Sequence, residues 1–191
     1  MDTIQELRKK YGMNKHIPFK YENEILTALS HYPELKEVEI IFKLTDHASV
    51  PYGTKPAISS CFKSKKKRSY VINILEKAED PERTALFKNL SSRMRIGVIA
   101  HELMHVEQYH FGRFSLIKTL GLFVVPSSRR RLERAADKGA IDHGFGEELL
   151  EHALYLRSIP GYTEKRPAIK EDYLQPDEIE SCLRLKRMSA V

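Results

Sequence analysis

Cysteine is scarce in this chain of 191 residues. Cys61 and Cys182 are too few for a disulfide scaffold or a Cys-rich zinc module. They have no metal-ligand spacing and no local redox motif, so they read as incidental buried thiols in a reducing compartment. Long apolar runs are missing too. Met1 to Leu7 carries none, and no secretory signal is expected. The most lipid-like stretch, Thr119 to Ser128, lies between Lys118 and Arg129 and has half of the ~20 residues a spanning helix needs. No transmembrane segment is expected, and the cytoplasm is the default location. There is no internal repeat. A composition of 41% hydrophobic and 30% charged residues excludes a disordered acidic chain or a low-complexity polymer. The length suits one domain over residues 1–191 with a core of its own.

Basic residues outnumber acidic ones by 32 to 26, but the excess is local. Lys63, Lys65, Lys66, Lys67 and Arg68 form one cluster; Arg129, Arg130, Arg131 and Arg134 form another. Without those nine, 23 cations face 26 anions, so the remainder is slightly acidic. The first cluster falls between two strand-like runs and reads as a solvated hairpin tip. A membrane surface, an acidic substrate and nucleic acid are the alternative partners. No aromatic-interleaved or helix-turn-helix pattern supports nucleic acid.

The apolar spacing predicts helices over Thr3–Tyr11, stopped by Gly12, and over about Phe19–Ser30. Val38–Phe42 reads as a strand, and Asp46–Pro56 as a loop punctuated by Pro51, Gly53 and Pro56. Ala57–Phe62 and Ser69–Leu75 look like two strands flanking the lysine-rich turn. Glu82–Asn89 reads as a short helix. A long one, capped by Ser91 or Ser92, should reach about Phe111. Further helices are expected from a start after Pro126 and Ser128 to His143, over Phe145–Leu156, and from Pro176 to about Lys186, the last after a polar linker over 161–175. Helices, a small mainly antiparallel sheet and then helices make an α+β fold.

His101-Glu102-Leu103-Met104-His105 is an H-E-x-x-H motif inside the longest predicted helix. At ~100° per residue, His105 lies ~40° round from His101, so both imidazoles project from one face a turn apart. Glu102 lies on the same side. Two neutral imidazoles suit a zinc ion, and the carboxylate beside them can take a proton from metal-bound water. Ile96, Ile99, Leu103 and Val106 fall on the opposite face as a core stripe. A catalytic zinc needs a third protein ligand and an open fourth position. His110 falls on the core stripe, poorly aimed for that role. The longer H-E-x-x-H-x-x-G-x-x-H pattern fails, because Gln108 replaces its glycine and Phe111 its last histidine.

A better third ligand lies in Leu132-Glu133-Arg134-Ala135-Ala136-Asp137-Lys138-Gly139-Ala140. Glu133 and Asp137 share a helix face. One carboxylate can bind metal while the other accepts a ligand histidine's ring N–H. The small residues Ala135, Ala136, Gly139 and Ala140 would let this helix approach the first closely. The alternative is a solvated acidic pair satisfied by the neighbouring arginines.

H-E-x-x-H followed by E-x-x-A-D on a second helix resembles the gluzincin metallopeptidases, most closely the HtpX and CAAX-prenyl-protease type. The resemblance covers about Val98 to Ala140, less than a quarter of the chain. It implies a zincin-like fold and one zinc ion held by His101, His105 and Glu133. It further implies that Glu102 activates water and that Asp137 supports a ligand from behind. Those relatives are integral membrane enzymes, and the chain lacks their spanning helices. No residue with a diagnostic context matches their transition-state-stabilising group, although His143, His152, Tyr155 and Arg157 are available.

The expected activity is zinc-dependent hydrolysis of a peptide or protein substrate. Tyr70–Ile74 is the expected edge strand for an extended substrate. The rival is a non-catalytic, zinc-stabilised module that binds an anionic partner through its basic patches. A further version docks the Phe111–Val125 segment on a membrane surface.

Overall fold

The computed structural model describes residues 2–48, 50–60, 63–79, 83–112 and 125–189. Cys61, Phe62 and the apolar segment 113–124 lie outside the described residues, and with them most of the membrane-docking stretch. Among the described residues no helix is long and apolar enough to cross a membrane.

The chain opens with α1 (Ile4–Tyr11). Thr3 and Glu6 close a reciprocal capping box at its start, and Gly12 ends it as expected. A two-residue strand, β1 (Lys15–His16), leads through one 3-10 turn into α2 (Glu22–Leu29). Strands β2 (Glu39–Thr45), β3 (Tyr52–Pro56) and β4 (Ser69–Leu75) follow. The second half holds α3 (Ser92–Phe111), α4 (Pro126–Asp142), α5 (Gly146–Ser158), the short α6 (Tyr162–Lys165) and α7 (Ala168–Glu171), and α8 (Pro176–Ser189). The fold is α+β, as its periodicities predict.

The sheet departs from expectation. Its order is β1-β2-β4-β3, with β1–β2 and β2–β4 parallel and β3–β4 antiparallel. It is therefore mostly parallel, not mainly antiparallel. The antiparallel partner of β4 is Tyr52–Pro56, which had read as loop, and not Ala57–Phe62; Ile58–Ser60 is a 3-10 turn. Gly53 and Pro56 punctuate that stretch, yet both residue types are tolerated in an edge strand, where one row of backbone groups needs no partner. β4 lies between β2 and β3, with Tyr70, Ile72 and Ile74 fully buried, so it cannot be the free edge. β3 takes that place. The expected helix over Glu82–Asn89 reduces to a 3-10 turn at Phe87–Asn89.

The core lies between the sheet, α2 and α3. Ser91 caps α3 by accepting the Met94 N–H at 3.1 Å. The helix packs against α2, α4, α5 and β3, which leaves it buried on almost every side. A Cβ at Gly97 would stand 2.8 Å from the Glu148 carbonyl carbon, so glycine there is what lets α5 lie so close.

Residues 161–175 do not behave as a linker. They bury Tyr162, Thr163, Asp172 and Leu174, and α4 holds them down by ion pairs. Arg129 donates to Asp172 at 2.7 Å, Arg130 reaches Glu171 at 3.4 Å, and Arg134 grips Glu178 at the start of α8. These arginines are thus matched within the chain, whereas Lys65–Lys67 form an exposed 3-10 turn like the solvated tip expected of them. Arg129→Ala leaves the buried Asp172 carboxylate with Arg130 alone, 3.8 Å away, and should cost about 1–3 kcal/mol of stability. Urea unfolding measures that loss, and proteolytic nicking within 161–175 should rise with it. No change in either would mean that apolar contacts alone hold the segment.

Candidate metal centre

α3 carries His101 and His105 inward, and α4 lays Glu133 and Asp137 opposite them. Ala136 and Ala140 are fully buried at this interface and Gly139 meets the Met104 side chain, which lets the two helices close. Ala135 faces solvent instead. His101, His105 and Glu133 are 7, 5 and 8% exposed.

Three atoms converge. His101 Nε2 and His105 Nε2 are 3.0 Å apart, and Glu133 Oε2 is 3.1 Å from each. The other ring nitrogens fix the tautomers. His101 Nδ1 lies 2.8 Å from Asp137 Oδ1, a carboxylate acceptor, so Nδ1 carries the proton. His105 Nδ1 lies 2.9 Å from Gln108 Oε1. The Gln108 amide is oriented by donating its own N–H to the Leu132 carbonyl at 2.9 Å, so its oxygen must accept. Both Nε2 atoms therefore point at Glu133 Oε2, and the three converge closely enough to share protons or to hold a cation at their centre.

Burial disfavours charge on both imidazoles, yet the carboxylates outweigh it: Asp137 and Glu133 hold His101 well above the usual range, and Glu133 holds His105 above it, so protons compete with a metal ion for the same ring nitrogens. Burial pushes Glu133 up, but the two imidazoles pull it far below the ordinary carboxylate range. Zinc fits this donor set. Tetrahedral bonds of ~2.0–2.1 Å place neighbouring ligand atoms ~3.3 Å apart, close to the spacing here. His101, His105 and Glu133 thus form a buried cluster able to hold a divalent metal ion such as zinc.

Glu102 is buried but stays outside the triangle. Its carboxylate accepts the Thr54 hydroxyl of β3 at 2.7 Å. Asp137 is held from both sides, because its second oxygen accepts the Leu174 N–H at 2.8 Å. The Tyr173 ring leans on His101 with centroids 5.5 Å apart. A cavity of about 250 Å³ meets His101 and Glu102 and is also lined by Tyr52 and His152. The Tyr52 hydroxyl and His152 Nε2 share a hydrogen bond of 2.6 Å. Burial, then the positive charges of His101 and Arg157, pull the His152 pKa down to about 3, so its ring is neutral at physiological pH.

His110 is not brought to the site. It sits beside the sheet, with Nδ1 3.3 Å from the Tyr70 hydroxyl. His143, another candidate, stacks on Tyr32 and joins a second group with Glu34 and Glu107. That group is partly solvent-facing. Burial and the adjoining Glu34 carboxyl push Glu107 up to about 7.

Sequence reasoning missed Gln108, Thr54, Tyr52, Tyr173 and Leu174, and gave His152 no defined role. Only Gln108 left a signal, three residues after His105 on the same helix face. The others arrive from segments with no pattern linking them to the motif. Comparison with protein-family models, with curated proteins and with solved structures gave no match, so the geometry of these side chains carries the functional argument.

Proposed function

We propose that the chain is a zinc metallopeptidase of the gluzincin type, with His101, His105 and Glu133 as ligands and Glu102 as general base. One observation carries this reading. Three protein donors converge, while a fourth buried acid, Glu102, is held aside by Thr54 and faces a cavity that also reaches His101. A purely structural zinc site closes with four protein ligands; a catalytic one uses three and leaves a position open.

Held by His101, His105 and Glu133, zinc would supply Lewis acidity that acidifies water and polarises a carbonyl. Glu102 would take the proton from the attacking water and hand it to the departing amine. Asp137 keeps His101 in the Nε2-ligating tautomer, and Gln108 does the same for His105. Tyr52 and His152 offer neutral hydrogen-bonding groups beside Glu102, where negative charge develops on the substrate carbonyl oxygen. β3 supplies the free sheet edge along which an extended peptide can lie.

Chelation followed by zinc return tests the reading against the rival zinc-stabilised module. Peptide hydrolysis should vanish and come back while circular dichroism stays near the folded spectrum. Unfolding on chelation, with no hydrolysis by the loaded protein, would favour a structural metal. Asp137→Asn should weaken zinc binding about 10–100-fold, as loss of a histidine's supporting carboxylate does elsewhere. Competition against a chelating dye measures it, and an unchanged affinity would remove Asp137 from the site.

A further inference from the structure

The cavity that meets His101 and Glu102 has a second character. Its wall is apolar, formed by Val98, Leu149, Leu156, Tyr162, Ile169 and Ile179. Of its lining residues only Val50 and Lys165 are exposed, so the mouth lies between the β2–β3 connection and the end of α6. Three cations, Arg157, Lys165 and Arg166, also line it. Its two acids, Glu102 and Asp137, are already engaged by Thr54 and by His101 and Leu174.

The cations are the unusual feature. The arginines of α4 that hold down 161–175 each meet a carboxylate, but Arg157 donates only to neutral oxygens, Ala153 O and Gln175 Oε1, both at 2.7 Å. Partial burial pulls its pKa down, although the Asp137 and Asp177 carboxylates oppose the shift. The Lys165 backbone N–H donates to the Gly161 carbonyl, but its ammonium makes no hydrogen bond or ion pair among the described residues. Size limits the guest. The volume of about 250 Å³ exceeds an apolar cavity that takes benzene, ~150 Å³, and falls short of the ~300–1,000 Å³ that drug-sized ligands need. One large apolar side chain fits.

We propose that this cavity selects the substrate residue beside the bond to be cut: a large apolar side chain accompanied by a carboxylate. The carboxylate is the peptide's own C-terminus or the side chain of an adjoining acidic residue. The inference rests on the peptidase reading above. Burying a carboxylate against an apolar wall is costly unless cations meet it, and Arg157 and Lys165 supply them. A basic residue at that position would meet like charges.

Binding to zinc-loaded Glu102→Gln protein tests this without turnover. The probes are N-acetyl-phenylalanine, its amide, N-acetyl-alanine and N-acetyl-Phe-Asp-amide, titrated by calorimetry. N-acetyl-phenylalanine should bind about tenfold tighter than its amide and than the alanine acid. The Phe-Asp amide matches the acid if a side-chain carboxylate serves, and matches the simple amide if the C-terminus is what is read. Lys165→Glu, at an exposed position that the fold tolerates, should cut the acid's advantage below about threefold and leave the amide unchanged. Ala153→Trp should erase the preference for phenylalanine over alanine by filling the cavity. Equal affinity for acid and amide overturns the proposal. An acid preference that survives Lys165→Glu leaves Arg157 as the partner, and one that also survives Arg157→Gln overturns it too, because the carboxylate would then be sitting on the metal. The two readings fail separately. Selective binding without hydrolysis by the parent removes the peptidase, whereas hydrolysis without this selectivity removes the pocket.

Discussion

The parent, purified without a histidine tag, is expected to carry about one zinc per chain, and Glu133→Ala to lose it, with affinity down by more than ~100-fold. The direction follows from the triangle of donors. Glu133 Oε2 is the one anionic corner, 3.1 Å from each imidazole nitrogen. Removing it leaves two neutral nitrogens in a buried pocket, with no charge to offset the dehydration of a divalent ion. The helix should survive, since alanine is the best helix former and α4 is also held by Ala136 and Ala140. Glu133→Gln keeps the shape and a carbonyl donor without the charge, so it should fall between parent and alanine variant. Metal analysis beside urea unfolding separates loss of zinc from loss of fold. Zinc unchanged in Glu133→Ala would place the third ligand elsewhere and remove the gluzincin resemblance with it. A folded parent that takes up no zinc would shift the weight to a non-enzymatic binding module.

The centre of this site is legible in sequence because it is helical and local. Four-residue spacing puts His101 and His105 on one face, and the same spacing pairs Glu133 with Asp137; the helical period needs no knowledge of the fold. Bringing the two helices together is harder to foresee, but the buried Ala136 and Ala140 foreshadow it. What sequence hides is non-local. Tyr52–Pro56 has too little β-branched character to read as a strand, and it pairs because β4 presents an edge that accepts Gly53 and Pro56. The parallel β2–β4 register depends on which strand lies between them along the chain, and no single segment records that. Residues 161–175 look like a linker because their charges dominate, yet Asp172 and Glu171 answer arginines about 40 residues upstream. Those same ion pairs remove much of the apparent basic patch on α4 from contention as a surface for anions.

Holding that segment down also shapes the chemistry. Leu174 N–H on Asp137 and the Tyr173 ring on His101 exclude solvent from one side of the triad, so access runs through the cavity beside Glu102. Exclusion of water strengthens each charge–charge contact inside and removes competing donors. It also explains why a residue as small as Thr54 matters. Its hydroxyl at 2.7 Å engages the Glu102 carboxylate, which stays outside the triangle of His101, His105 and Glu133.

Glu102→Gln is therefore the sharpest test of catalysis as distinct from metal binding. The variant should keep about one zinc per chain, because Glu102 belongs to none of the three converging donors. Hydrolysis should fall about 10²–10⁴-fold, the range that a positioned general base contributes. The amide is isosteric and can still meet the Thr54 hydroxyl through its oxygen, so packing around β3 is preserved. A nitrogen in place of the second carboxylate oxygen cannot take a proton at neutral pH. The loss should appear in kcat with KM little changed, since Glu102 acts on the proton in flight and not on the bound ground state. Zinc retained with activity lost places Glu102 where the mechanism needs it. Zinc retained with activity intact means another base serves, and the Tyr52–His152 pair becomes the place to look. Zinc lost would instead make Glu102 a fourth ligand, closing the site and turning the centre into a structural one.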